Sequence, residues 1–164
     1  MQLEISHSRN AELREQHRLL TQTELLPTVL EAMPGIVLII NDRREIVYAN
    51  REAYRVLHVE DLDQILGKRP GEAMGRSVAA SCSNGCGTGE ACAVCGAASA
   101  IRAAEMGKSA VRECRIRRYD TGIGMDFRVS TTPLNIQGVN LTLVALIDIS
   151  HENRRRALER IFFH

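Results

Sequence analysis

Four of the chain's five cysteines lie in one short glycine-rich stretch, SCSNGCGTGEACAVCG, at residues 81–96. Cys82, Cys86, Cys92 and Cys95 follow the spacing C-x3-C-x5-C-x2-C. Thiolates are the ligands of structural zinc and of iron–sulfur clusters, and a C-x2-C pair lets two of them bind one ion. The intervening glycines permit the sharp backbone turns that a compact ligand set needs. The stretch therefore predicts a metal site built from these four cysteines.

The identity of the metal stays open between two candidates. Structural zinc usually takes its thiolates from two well-separated C-x2-C pairs, whereas one compact run of cysteines resembles an iron–sulfur site. A predicted helix at 97–106 follows the run, and its positive N-terminal end favours a thiolate at Cys95. An iron–sulfur cluster responds to redox state or oxygen, and zinc does not. We expect either an iron–sulfur cluster or Zn²⁺ as the cofactor.

The fifth cysteine, Cys114, lies on a predicted strand at 110–118, where it shares a face with Ile116. That position is typical of a small buried core residue. If Cys82 is not a ligand, Cys114 is the reserve, because its strand can approach the cysteine loop. Two alternatives need a different use of the thiols: a metal-free thiol–disulfide redox protein acting through Cys92 and Cys95, and a zinc-stabilised interaction module.

Composition limits the classes of partner. The 164 residues are 45% apolar and 25% charged with a net charge of +1, as in one globular domain. Glu90 is the only charged residue between Cys82 and Gly96, which is the wrong sign for binding phosphates. The apolar runs GIVLII and LTLVALI are far shorter than the roughly 20 residues of a membrane helix, and the polar N-terminus lacks a signal-peptide core. We expect a cytoplasmic protein that binds neither nucleic acid nor membrane.

Hydrophobic periodicity predicts the elements that hold the cysteines. Two strands come early and three late, which indicates one five-stranded antiparallel sheet with helices packed on one face, an α+β fold. The predicted strands are 35–40, 46–50, 110–118, 125–134 and 140–149. The last strand is almost continuously apolar, so we expect it to be central and covered on both faces. Asn50 is the expected N-cap of the helix that follows the first hairpin.

Helices are predicted at both ends of the chain. In residues 1–25, Leu13 and Leu20 are seven apart, which suits either a helix that pairs with a second copy of itself or a frayed leader helix. At the other end, Ser150 is a natural N-cap for a helix over 151–164, on which a stripe of apolar residues recurs. Asp148 precedes this helix, and the arginines at 154–156 either pair with it or form a solvated face, which is the interpretation we favour.

Several phrases in this order resemble a PAS domain: PGIVLIINDRREIVYANREA, then GKRPGEAMG, then LIDIS at the end of the last strand. The resemblance spans about residues 24–150, and we assign 26–150 to the domain. It implies the strand order 2-1-5-4-3 and a sensory or dimerising role in a signalling protein. Asp148 and Ser150 match the signature that joins a PAS sheet to its outgoing signalling helix, which implies a role in signal relay.

The final residues, ALERIFFH, resemble the start of the dimerisation and phosphoacceptor helix of bacterial sensor histidine kinases. That resemblance implies a homodimer in which His164 accepts phosphate, with a kinase ATP-binding domain and a response regulator as partners in the full protein. The chain holds no glycine-rich nucleotide loop, so we expect no catalysis by this part alone. The leading interpretation is the sensory input module of a two-component histidine kinase, flanked by N- and C-terminal signalling helices.

Overall fold

The computed structural model describes residues 2–75, 95–117 and 121–163. The helices are α1 (Gln2–Thr21), α2 (Leu25–Ala32), α3 (Arg51–Leu57), α4 (Pro70–Ala73), α5 (Gly96–Glu105) and α6 (Ser150–Phe163), with a 3₁₀ turn at Leu62–Gln64. The strands are β1 (Ile36–Ile40), β2 (Ile46–Ala49), β3 (Ala110–Arg117), β4 (Gly124–Ile136) and β5 (Val139–Asp148). Among the described helices, none is both long and apolar enough to cross a bilayer.

The five strands form one antiparallel sheet in the order β2-β1-β5-β4-β3. This confirms the predicted α+β fold class and the strand order that the resemblance implied. The apolar strand β5 is central, between β1 and β4, as its composition predicts. A central strand with a helix layer on each side has no polar face, which explains its nearly continuous apolar run.

One face of the sheet packs against α3, α4 and α5. Leu38 and Ile40 of β1 belong to the same buried cluster as Phe127 and Val129 of β4. Burying a side chain of this size contributes about 1.5–3 kcal/mol relative to leaving it exposed. Asn50 is the N-cap of α3, as predicted, because its Oδ1 accepts the N–H of Ala53 at 3.0 Å.

The opposite face is covered by α1 and α2. Leu13 and Leu20 of α1 are 2% and 1% exposed and pack in one cluster with Val37, Ile39 and Val47. The heptad spacing left two alternatives open, a helix that pairs with a second copy of the chain and a frayed leader helix. The two leucines face their own sheet instead, because alternate residues of β1 and β2 point to this side and offer α1 an apolar surface.

A polar cluster at the β1–β2 turn fastens α1 to the sheet. The guanidinium of Arg9 forms an ion pair with the nearly buried carboxylate of Glu45. Arg43 bridges Glu12 of α1 at 2.9 Å and Glu45 at 3.1 Å, and Asn41 donates to Glu45 at 3.0 Å. Burial alone would raise the pKa of Glu45, but these hydrogen bonds and positive charges outweigh it and hold the pKa below its ordinary value.

Candidate functional site

The structure describes two of the five cysteines. Cys95 and Cys114 lie within the described residues, whereas Cys82, Cys86 and Cys92 lie outside them. His164 also lies outside the described residues. The four-cysteine ligand set and the phosphoacceptor histidine therefore stay predictions.

Cys95 and Cys114 come together from distant parts of the sequence. Cys95 is the residue before α5, and Cys114 lies on β3 beside Ile116. Their Sγ atoms are 3.7 Å apart, and the two residues are 6% and 7% exposed. Neither is in a disulfide. The buried position predicted for Cys114 is confirmed, and the cysteine held in reserve as a ligand touches one of the predicted ligands.

Gly96 allows this meeting of helix and strand. A Cβ atom at this position would lie 2.0 Å from the carbonyl oxygen of Glu113, which is far inside van der Waals contact. Only glycine lets the first turn of α5 approach the β3 backbone this closely. Each cysteine is the chain neighbour of one of these two residues, so the close approach brings the sulfurs together. In the sequence, Gly96 indicates only a turn, and nothing there identifies its partner strand.

A small apolar cavity borders Cys95. It has a volume of about 50 Å³ and is lined mainly by aliphatic side chains such as Met74, Ile101 and Ile116, with Arg44 and Arg69 also in its wall. The Arg44 guanidinium is held by Glu105, with nitrogen–oxygen distances of 2.7 and 2.8 Å. The Glu105 carboxylate therefore offsets the charge of Arg44 at this cavity. Arg44 and Arg69 are far from Cys95 in the sequence, so sequence reasoning could not place them at the same cavity.

Within the described residues, no cluster of three or more His, Cys, Asp or Glu side chains is placed to hold a metal ion. The described part contributes the two sulfurs of Cys95 and Cys114. A thiolate-bound metal fits this donor set in kind, since both zinc and iron–sulfur clusters take cysteine sulfur. Further ligands would have to come from the cysteines at 82, 86 and 92.

The exit from the sheet into α6 is built on Asp148, Ser150 and Asp126. The carboxylate of Asp148 accepts the N–H of Ser150 at 2.8 Å, while the Oγ of Ser150 accepts the N–H of Asp126 at 2.9 Å. The prediction that Ser150 caps the helix through its own side chain is wrong. Asp148 binds the first N–H of α6, and the Ser150 hydroxyl fastens the helix to β4.

The arginines of α6 at 154–156 are exposed, as the favoured interpretation of a solvated face predicts. Arg154 donates to the carbonyl of Ser150 at 3.3 Å, and Arg156 pairs with Glu152 at 2.5 Å. These contacts lie within the helix, and the alternative pairing with Asp148 is not among the contacts of the described residues. Glu152 also approaches Arg128 of β4, with a nitrogen–oxygen distance of 3.6 Å. This pair is a second link between the sheet and the outgoing helix.

An apolar stripe on α6 faces solvent. Leu158, Ile161 and Phe162 are 55%, 72% and 77% exposed, and α6 contains no buried residue. Residues at this spacing share one side of a helix. The helix is anchored at its first turn to β4 and is otherwise not packed on the described part of the domain.

The fold and the helix exit can be compared with known protein families. The family model "PAS domain" matches residues 24–89, which include α2, the β1–β2 hairpin and α3. The five-stranded order and the helix layer over the sheet agree with that match. The fold of this chain is PAS-like. A search of curated protein sequences found no significant match.

Solved structures support the PAS fold over most of the chain. The PAS domain of an HTR-like protein from Haloarcula marismortui is 18% identical, with a TM-score of 0.52, and the match covers 83% of this chain and 98% of that one. The PAS domain of Bordetella pertussis BvgS is 12% identical, with a TM-score of 0.51, covering 87% and 99%. A PAS domain from a two-component sensor histidine kinase is 14% identical, with a TM-score of 0.50, covering 76% and 94%. At these identities the likeness concerns the fold.

Proposed function

We propose that this PAS-like domain is the cytoplasmic sensory input module of a two-component histidine kinase and that it senses through a cysteine-bound metal centre. In this proposal the state of the centre reports redox state, oxygen or metal supply. The signal passes across the sheet to α6 and onward to His164. The PAS domain of a two-component sensor histidine kinase among the similar structures supports this setting.

One observation carries the proposal: the cysteine contact and the exit of α6 share one row of the sheet. Cys114 of β3 pairs with Phe127 of β4, and Phe127 pairs with Asp148 of β5. Neighbouring strands are about 4.8 Å apart, so the row spans about 10 Å from the sulfur-bearing strand to the residue that binds the first N–H of α6. A shift of β3 reaches the base of the helix through two strand pairs.

Asp126 adds a second route from β3 to α6. It neighbours Phe127, and its carbonyl accepts the N–H of Ile149 at 2.8 Å, while its carboxylate accepts from Asn153 at 3.2 Å. Arg115 of β3 approaches the same carboxylate at 3.9 Å. Displacement of β3 relative to β4 thus changes contacts that orient the first turn of the helix. Such a change biases two arrangements of α6, as a population shift requires.

The proposed ligands are Cys86, Cys92 and Cys95, with the fourth position taken by Cys82 or Cys114. A bound iron–sulfur cluster would supply a charge change on reduction or oxygen exposure, and bound zinc would supply a metal-dependent structural link. The chain's own part is to bring deprotonated sulfurs together and to bury them. The N-terminal end of α5 follows Cys95 and favours its deprotonated form. The side chains that surround Cys95 bury its sulfur.

Output is proposed to run through a dimer of α6 helices. The exposed stripe of Leu158, Ile161 and Phe162 suits pairing with the same helix of a second copy. Beyond this stripe, His164 is the proposed phosphoacceptor, since a neutral imidazole nitrogen is a competent nucleophile toward a γ-phosphate. The kinase ATP-binding domain and a response regulator would be the partners in the full protein.

The test is to measure metal and acid-labile sulfide in protein purified without air. The proposal expects about one metal centre per chain, with sulfide and visible absorption for an iron–sulfur cluster, or zinc in a colourless protein. A double variant, Cys86→Ser with Cys92→Ser, is expected to lose the metal. Metal-free wild-type protein would contradict the sensing role, and disulfide reductase turnover that disappears in Cys92→Ser would replace it with the redox alternative.

A further inference from the structure

The distance between the sulfurs of Cys95 and Cys114 matches two ligands of one ion. In a tetrahedral site with metal–sulfur bonds of about 2.3 Å, neighbouring ligand sulfurs are about 3.8 Å apart. The observed separation is 3.7 Å. A disulfide requires about 2.05 Å, so the pair would have to move to form one. As thiols the two side chains are at S–H···S hydrogen-bond distance, and the same separation suits two ligands of one metal ion.

We infer that Cys114 is a ligand of the proposed metal centre, together with Cys95, and that Cys82 is not. This inference rests on the proposed function and deepens it by naming the ligand set as Cys86, Cys92, Cys95 and Cys114. Four ligand positions and five cysteines leave one thiol over. The contact of Cys114 with Cys95 favours Cys114 over Cys82 for the fourth ligand position.

The surroundings of the pair suit ligands of a metal. Ile101 and Ile116 are buried in the same cluster as both cysteines, so an unpaired thiolate there would be costly. A metal ion compensates that charge, and its binding releases the thiol protons. The 10-residue helix α5 begins directly after Cys95, and the positive end of a helix favours a thiolate at such a position.

A ligand on β3 changes what the centre can do. Among the cysteines proposed as ligands, Cys114 is the one that lies on a described strand of the sheet. With Cys114 as a ligand, the centre binds a strand whose cross-strand row leads through Phe127 to Asp148. Loss or alteration of the metal then acts directly on the strand from which the signal path to α6 starts.

The experiment is a Co²⁺ titration of metal-free wild type, Cys114→Ser and Cys82→Ser. Thiolate-to-cobalt charge-transfer absorption rises with the number of sulfur ligands. Cys82→Ser is expected to match wild type in intensity and affinity. Cys114→Ser is expected to lose about a quarter of the intensity and to bind Co²⁺ at least about tenfold more weakly, because it removes one thiolate of four.

Controls separate ligation from packing. Ile116→Val shortens a buried side chain on the same face of β3 and leaves all sulfurs in place, so it is expected to bind Co²⁺ as wild type does. Circular dichroism checks that each variant is folded. If Cys114→Ser does not fold, the metal-loaded wild type is treated with iodoacetamide and alkylation of Cys82 is read by mass spectrometry. Alkylation of Cys82 supports the inference. Protection of Cys82 from alkylation overturns it.

The possible outcomes distinguish the two proposals. Wild type that binds neither Co²⁺ nor an iron–sulfur cluster overturns both the metal-sensing function and this ligand assignment. Wild type that binds Co²⁺, with Cys114→Ser indistinguishable from it, overturns the ligand assignment alone. The same holds if Cys82→Ser, and not Cys114→Ser, loses intensity.

Discussion

Glu45 shows how a single residue at the β1–β2 turn can hold the sheet and the N-terminal helix α1 together. Its carboxylate is nearly buried yet charged, because Asn41, Arg43 and Arg9 surround it. Removing one partner of such a cluster leaves another group buried and unsatisfied, which costs more than an exposed ion pair contributes. The cluster therefore fixes the position of α1 on the sheet.

The depressed pKa of Glu45 predicts how stability depends on pH. Because the carboxylate is favoured in the folded state, its contribution is complete above the unfolded-state pKa of about 4.5 and is lost as pH falls through the lower folded-state pKa. Glu45→Gln is expected to be less stable at neutral pH and to lose less stability on acidification. Urea unfolding at neutral pH and below 4.5 measures this. Equal acid sensitivity in wild type and variant would contradict the assignment.

The helices α1 and α6 lie at the two ends of the described chain, and their apolar stripes differ in burial. In α1, Leu13 and Leu20 are buried on the sheet, whereas in α6, Leu158 and Ile161 are exposed. For α1 the spacing left an intermolecular seam and a frayed leader helix as alternatives, and for α6 it predicted an apolar stripe. The difference lies in the surface available to each helix: α1 meets an apolar sheet face, and α6 extends from β5 past the edge of that core.

The exposed stripe of α6 predicts a dimer that one substitution weakens. Ile161→Asp places a carboxylate where an apolar contact is expected, so the dissociation constant should rise more than tenfold, since burying such a side chain contributes about 1.5–3 kcal/mol. Light scattering after size-exclusion chromatography measures the mass. Arg160→Ala, on a different side of the same helix, is the matched control. A wild type that is monomeric at all concentrations contradicts the dimer.

At the scale of the whole molecule, the sequence predicted the fold well. Apolar runs such as GIVLII and LTLVALI, with the PAS-like phrases around them, were enough for the five-strand order and the central position of β5. The predicted N-cap at Asn50 is confirmed because capping is a local interaction. The prediction that the Ser150 side chain caps α6 is wrong, because its hydroxyl accepts the backbone N–H of Asp126 on β4.

The candidate site was less accessible to sequence reasoning. Spacing identified the cysteine stretch, but the contact of Cys95 with Cys114 depends on how α5 packs on β3. That packing requires a glycine beside a particular carbonyl, and no sequence pattern names the carbonyl. Likewise, the row from Cys114 through Phe127 to Asp148 depends on strand register, which becomes visible only in the sheet.

The central claim is that the cysteine centre communicates with α6, and hydrogen exchange read by mass spectrometry tests it most directly. The wild type is compared in its metal-loaded form and after chelation, with the double variant Cys86→Ser and Cys92→Ser as the chelator-insensitive control. The account predicts that amide protection changes both in β3 and in α6 when the metal is removed. A change confined to residues near the cysteines, with α6 unaltered, would contradict it.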